Sequence, residues 1–193
     1  AVVGTTEAGV VEAPLPAGTP VRTLAPGAVE PALSPDERSL AFLRRDGSAS
    51  ELWVANRDGS GARRVARGDS AHWAWPAFSA DGASLLFYDV SRSGPNAGTG
   101  LLFEVRVGDG TPLPYGPDLR LDPRGRPAVA AGGVLVRTFD GRRAVLVHGD
   151  GRSETLPFGA GLTLLCASPD GGTIAARPDG GPLVVWRRSP GAT

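Results

Sequence analysis

Few side chains in this sequence are equipped for bond-making chemistry. It holds two histidines, His72 and His148, one cysteine, Cys166, and no lysine, all twenty basic residues being arginine. Without lysine there is no P-loop amine, no Schiff base and no Ser–Lys dyad. No Gly-x-Ser-x-Gly elbow, His-Glu-x-x-His pair or Walker loop occurs. A single cysteine excludes an intrachain disulfide and a cysteine-based zinc site. Between Leu165 and Ala167, Cys166 reads as a small hydrophobe buried on an inner strand. His148 precedes Gly149-Asp150-Gly151 and reads as a turn residue. Asn56, Asp58 and Ser60 alternate as calcium-loop ligands do, but the bidentate acid expected about twelve positions into such a loop is missing, and turn chemistry accounts for them. The sequence therefore assigns no catalytic residue, no cofactor and no metal site.

Binding chemistry has more to stand on. Asp69-Ser-Ala-His72-Trp73-Ala-Trp75-Pro76 holds two of the four tryptophans and one of the two histidines. Ser91 to Gly100 is a long Gly- and Ser-rich loop carrying Arg92 and Asn96, just past Asp89, and a third irregular stretch surrounds Tyr115. Aromatic side chains with a polar tip, on loops of a rigid scaffold, are typical of interaction surfaces. The candidate partner-binding residues are thus His72, Trp73, Trp75, Asp89, Arg92, Asn96 and Tyr115. Within this set Trp75 is expected to turn inward and Trp73 to cap it near an axis. Trp53 and Trp186 lie mid-strand and read as core. A competing enzyme reading would gather Asp69, His72, Asp89 and Asp118 around an axial metal, and a third reading places a small ligand in the same aromatic pocket.

The elements that must position these residues are short and many. At 193 residues the chain has the length of about one domain. Glycine and proline, 28 and 18 residues, are abundant beside a 41% apolar fraction, which describes buried segments separated by turns rather than disorder. Eight Asp-Gly pairs mark tight reversals, and no segment shows helical periodicity with caps. Twenty acidic residues balance the arginines, so the net charge of zero argues against a nucleic-acid binder or a polybasic membrane-surface protein. No run is long and apolar enough for a transmembrane helix.

Four segments recur: Pro31-Ala-Leu-Ser-Pro-Asp36, Pro76-Ala-Phe-Ser-Ala-Asp81-Gly82, Leu119-Arg-Leu-Asp-Pro-Arg-Gly125 and Leu165-Cys-Ala-Ser-Pro-Asp-Gly171. With Ser34, Ser79, Asp122 and Ser168 taken as equivalent, the period is roughly 40–45 residues, that of a four-stranded propeller blade. Each segment leads into an alternating strand such as Ser39-Leu-Ala-Phe-Leu-Arg44. A third strand such as Glu51-Leu-Trp-Val-Ala-Asn56 and an Asp-Gly turn follow.

These motifs resemble the PD40, or WD40-like, repeat of bacterial TolB-like β-propellers over residues 21 to 188. The resemblance implies an all-β propeller and says little about function, because propellers serve unrelated ones. The sequence reading is a four-bladed ring. In it residues 1–20 are an extended arm, 21–188 the propeller and 189–193 a tail, with Val21–Leu24 closing the last blade as its outer strand. An open fragment of a larger propeller is the rival. The expected function is a non-enzymatic interaction module exported to the periplasmic or extracellular side of a bacterial envelope, binding a protein partner, in one form as an accessory subunit of a membrane complex. The missing initial methionine is read as the start after a cleaved leader, as the loss of an N-terminal anchor, or as a mere boundary of the sequence.

Overall fold

The computed structural model describes residues 1–13, 20–69, 72–108, 110–130, 132–157, 161–168, 170–178 and 180–187. Within them the chain forms five antiparallel sheets in sequence order. The first contains β1 (Val2–Thr6), β2 (Gly9–Ala13) and β3 (Arg22–Pro26). The second contains β4 (Val29–Leu33), β5 (Ser39–Asp46), β6 (Ala49–Asn56) and β7 (Arg63–Gly68). The third contains β8 (Trp73–Phe78), β9 (Ser84–Val90), β10 (Gly100–Arg106) and β11 (Leu113–Pro114). The fourth contains β12 (Ala128–Ala130), β13 (Gly133–Arg137), β14 (Ala144–Val147) and β15 (Ser153–Thr155). The fifth contains β16 (Leu162–Ala167), β17 (Thr173–Pro178) and β18 (Val184–Arg187).

Local chemistry sets the reversals. The Ser34 hydroxyl donates to the Asp36 carboxylate at 2.6 Å and accepts the Ser39 amide at 2.9 Å, closing the β4–β5 turn. The same pair of bonds closes β8–β9 through Ser79, Asp81 and Ser84, and β16–β17 through Ser168, Asp170 and Thr173. Gly82 and Gly171 occupy the left-handed position of these turns, with φ of 73° and 71°. The shared hydroxyl binds both ends of the loop, which explains why serine opens the motif.

Neighbouring sheets are joined by apolar clusters. Val10, Leu24 and Ala28 meet Leu40 and Phe42 between the first two sheets. Leu43, Leu52 and Val65 meet Trp73, Leu85 and Phe87 between the second and third. Leu86, Tyr88 and Leu102 meet Val134, Val136 and Val145 between the third and fourth. Leu135, Leu146 and Leu156 meet Leu162, Ile174 and Ala176 between the fourth and fifth. Among the described residues no cluster joins the fifth sheet to the first. β4, β8, β12 and β16 occupy the same edge of successive sheets and contact one another in series, lining the inner side.

Four expectations change here. Val2–Ala13 forms a hairpin, with Val2 opposite Ala13 and Thr6 opposite Gly9, where an extended arm was expected. Val10 and Val11 are buried, and alternation of small apolar residues is enough to make strands once a neighbouring sheet offers a surface to cover. The segment Val21–Leu24 does not close the last sheet: Arg22 and Thr23 pair with Glu12 and Val11 of β2. The hairpin supplies a local partner, at lower loop-closure cost than the far end of the chain. The four-bladed count rested on that closure, and the sheets number five among the described residues. The third repeat is also shifted. Leu121 makes only isolated bridges to Gly100 and Thr138, and the inner strand starts later, at Ala128. The hydroxyl turn of this sheet is Thr138–Asp140, between β13 and β14. Residues 189–193 lie outside the described residues.

Candidate functional site

Strand order fixes two rims. The β4–β5 and β8–β9 turns lie on one rim, and the β5–β6 hairpin and the long β9–β10 loop on the other. On this second rim Asp89, Arg92 and Asn96 line one cleft of about 480 Å³, together with Asp118 and Arg120. Ser91 and Thr99 pin the loop base through Ser91 N–H to the Thr99 carbonyl at 2.9 Å, and Thr99 Oγ1 donates to the Asn96 carbonyl at 2.8 Å. Arg92 is exposed, and the buried Asn96 Oδ1 has no hydrogen-bond partner among the described residues. His72 stands at the entrance to β8, its carbonyl accepting the Val90 amide at 2.8 Å.

The two tryptophans exchange their expected places. Trp73 is buried against Phe87, ring centroids 4.8 Å apart, inside the cluster between the second and third sheets. It stands opposite Asp89 in the register, and its side chain faces the neighbouring sheet. Trp75 is half-buried on the inner side. Its backbone has φ of 53°, its amide donates to the Glu30 carboxylate, and its indole Nε1–H donates to the Pro123 carbonyl at 2.8 Å. A register shift between Ala74 and Ala77 turns the side chain, so the two-residue spacing no longer puts both tryptophans on one face. Tyr115 sits apart from the Arg92 cleft. It lines a different cleft with Asp81, Glu104 and Gly132, on the first rim. Its amide is held by the Leu102 carbonyl in mid-sheet, so the chain has not yet crossed to the second rim. Burial, and then the charges of Glu104 and Asp150, push its phenol up.

An inner constellation was missed in the sequence. Glu30-Pro31-Ala32, Trp75-Pro76-Ala77 and Arg126-Pro127-Ala128 occupy the starts of β4, β8 and β12. Glu30 and Trp75 share a left-handed φ, 54° and 53°, at matching register shifts. The Arg126 guanidinium lies 5.1 Å from the centre of the Trp75 ring, and Arg45 pairs with Glu30 at 3.6 Å. A carboxylate, an indole and a guanidinium thus follow one another around the inner side. The signal was an Xaa-Pro-Ala triplet on three consecutive inner strands, masked because the strongest motif match directs attention to the following Ser-Pro-Asp.

Beside it Asp122, 2% exposed by its side chain, accepts from Arg124 at 2.8 Å and pairs with Arg137 at 3.2 Å. Burial alone would raise its carboxyl, but the Arg124 bonds and the Arg137 charge outweigh it and hold the group below the usual range. Cys166 is exposed, where a buried position was expected. Trp53 stacks parallel to Phe42 and Trp186 packs beside Ile174; both are partly buried against the core rather than within it, where core positions were expected. His148 Nδ1 lies 2.5 Å from the Gly132 carbonyl, and Asp58 holds Ser60 within its turn. No group of three or more His, Cys, Asp or Glu side chains converges among the described residues, so Asp69, His72, Asp89 and Asp118 are not assembled. No helix of the described residues is long and apolar enough to cross a membrane.

No protein-family model matches the chain, and no curated protein sequence does. Solved structures do match. TolB from Acinetobacter baumannii superposes with a TM-score of 0.67 at 17% identity, over 92% of this chain and 45% of that one. The β-propeller domain of the Trilobed protease from Pyrococcus furiosus, whose topology is described as an open velcro, gives 0.60 at 16% identity, over 95% and 60%. A chain of the nidogen–laminin complex gives 0.66 at 13% identity, over 92% and 67%. The chain has a TolB-like β-propeller fold. It spans less than half the length of the TolB chain it matches. At these identities the likeness carries the fold alone, and the fold does not fix a function.

Proposed function

We propose that this TolB-like propeller is a non-enzymatic module, exported to the outer side of a bacterial envelope, that binds a protein partner as an accessory subunit of a membrane complex. Its docking surface is the rim bearing the β9–β10 loop. The observation that carries the reading is the cleft of about 480 Å³ in which Asp89, Arg92, Asn96, Asp118 and Arg120 meet. Its mixed charge suits a polar, charge-paired protein surface, and its arginines offer the forked donors that such contacts favour. The likeness to a chain of a two-protein complex supports the same reading.

The test is quantitative co-purification from source membranes with wild type, Arg92→Ala and Arg38→Ala. Arg38 lies exposed in the β4–β5 turn on the opposite rim. The expected result is a partner retained by wild type and Arg38→Ala and lost or reduced with Arg92→Ala. Equal recovery with all three proteins overturns the choice of rim. A second reading, a propeller serving a hydrolase, is favoured by the likeness to a protease propeller. A hydrolase recovered as the specific partner selects it.

A further inference from the structure

A second cleft, of about 400 Å³, opens on the inner side among the third, fourth and fifth sheets. Its walls are mainly apolar: the Tyr88 ring, Pro127, Ala128, Val136 and Leu165. Its polar groups are few and specific. Tyr88 is 1% exposed, yet its hydroxyl makes no hydrogen bond among the described residues. The hydroxyl of this otherwise buried ring is therefore a donor that a ligand atom in the cleft can take up. Arg126 stands over the Trp75 face, and its guanidinium makes no hydrogen bond or ion pair among the described residues. Trp75 beneath it is held by its backbone amide, which donates to Glu30, and by its indole N–H, which donates to the Pro123 carbonyl. Stacking therefore holds the fork in place while leaving its N–H donors unused. Arg137 is spoken for by the Leu162 carbonyl and by Asp122, whose carboxylate also lines the cleft; that pair is neutral, so the positive charge offered to a ligand is that of Arg126.

We infer that this cleft binds a carboxylate carried on a small apolar body, the carboxylate taken by the Arg126 guanidinium and the Tyr88 hydroxyl and the body by Leu165, Val136 and Pro127. A forked cation matches two carboxylate oxygens, and the phenol donates the further bond that a neutral isostere cannot use as well. The volume lies within the range of small-ligand sites and accommodates one apolar residue with its terminal carboxylate. The site is separate from the Arg92 cleft, and neither stands or falls with the other.

Cys166, on the wall of this cleft, is the chain's single thiol and reports occupancy directly. The rate of its labelling by the neutral reagent 4,4′-dithiodipyridine is measured with N-acetyl-leucine, its primary amide and 4-methylpentanoate as probes. N-acetyl-leucine is expected to slow labelling in a saturable way, and the amide to leave the rate unchanged. Arg126→Ala weakens the apparent affinity about tenfold or more, and Tyr88→Phe, which removes one oxygen and keeps the ring, by about three- to tenfold. Protection by 4-methylpentanoate as well identifies a site for free acids; protection by N-acetyl-leucine alone identifies a peptide C-terminus. Equal protection by acid and amide, protection unchanged in both variants, or no protection by any probe overturns the assignment.

Discussion

Glu51 offers the sharpest test of how the second sheet is held. It lies on β6, nearly buried, and accepts from Arg64 and Arg67 of β7, each at 2.8 Å, and from the Trp53 indole at 3.0 Å. The Arg64 bond is the main cause that brings its carboxyl down from 4.5 to about 2, against the opposing push of burial. A tenfold change in proton affinity is worth about 1.4 kcal/mol, so this depression corresponds to roughly 3 kcal/mol. Half of the Arg64 side chain and a third of Arg67 meet water, and solvent screening reduces the expected contribution to about 1–2 kcal/mol. Because the folded-state value is depressed, the contribution is complete above the unfolded value near 4.5. It is lost as pH falls toward about 2. Urea denaturation of wild type and Glu51→Gln should differ by about 1–2 kcal/mol at neutral pH, with the gap closing steadily as the pH is lowered through that window. A gap that stays constant down to the acid end, or no gap at neutral pH, refutes the reasoning.

Other expectations follow from the packing. Trp73→Ala should cost about 3–5 kcal/mol in folding, as a buried aromatic does, measured by the shift in denaturation midpoint. Trp75→Ala should cost clearly less. Removing residues 1–13 should uncover Leu24, Leu40 and Phe42, lowering the melting temperature and promoting aggregation; an unchanged melt would return this segment to the status of an arm. Gly59→Ala should destabilise far more than Gly151→Ala. Both have φ near 85–88°, but a Cβ at Gly59 would stand 2.2 Å from the Leu24 carbonyl oxygen, whereas at Gly151 it meets nothing within 4 Å.

The strand pattern and turn chemistry were legible because Ser-Pro-Asp-Gly and its relatives carry their own hydrogen bonds, whatever packs around them. Sheet membership was not. Nothing local in Val21-Arg-Thr-Leu24 says whether it joins the sheet before it or one at the far end of the chain; that depends on whether Val2–Ala13 folds back first. In the third repeat, Asp122 imitates the turn residue but serves a buried pair with Arg137, while Thr138-Phe-Asp-Gly carries the turn at another connection. Of the candidate residues, the placing of Asp89, Arg92 and Asn96 on one rim was readable from loop length and strand alternation. Trp73 and Trp75 were placed the wrong way round, since a register shift of the inner strand is decided by the Glu30 carboxylate and the following proline, which lie outside any strand alternation.

The central claim is that the rim bearing the β9–β10 loop docks a protein. A photo-reactive residue placed at position 92, and in a separate protein at position 38, tests it inside source cells. The account predicts a discrete protein adduct from position 92 and none from position 38. Adducts of equal yield from both positions, or from position 38 alone, contradict it.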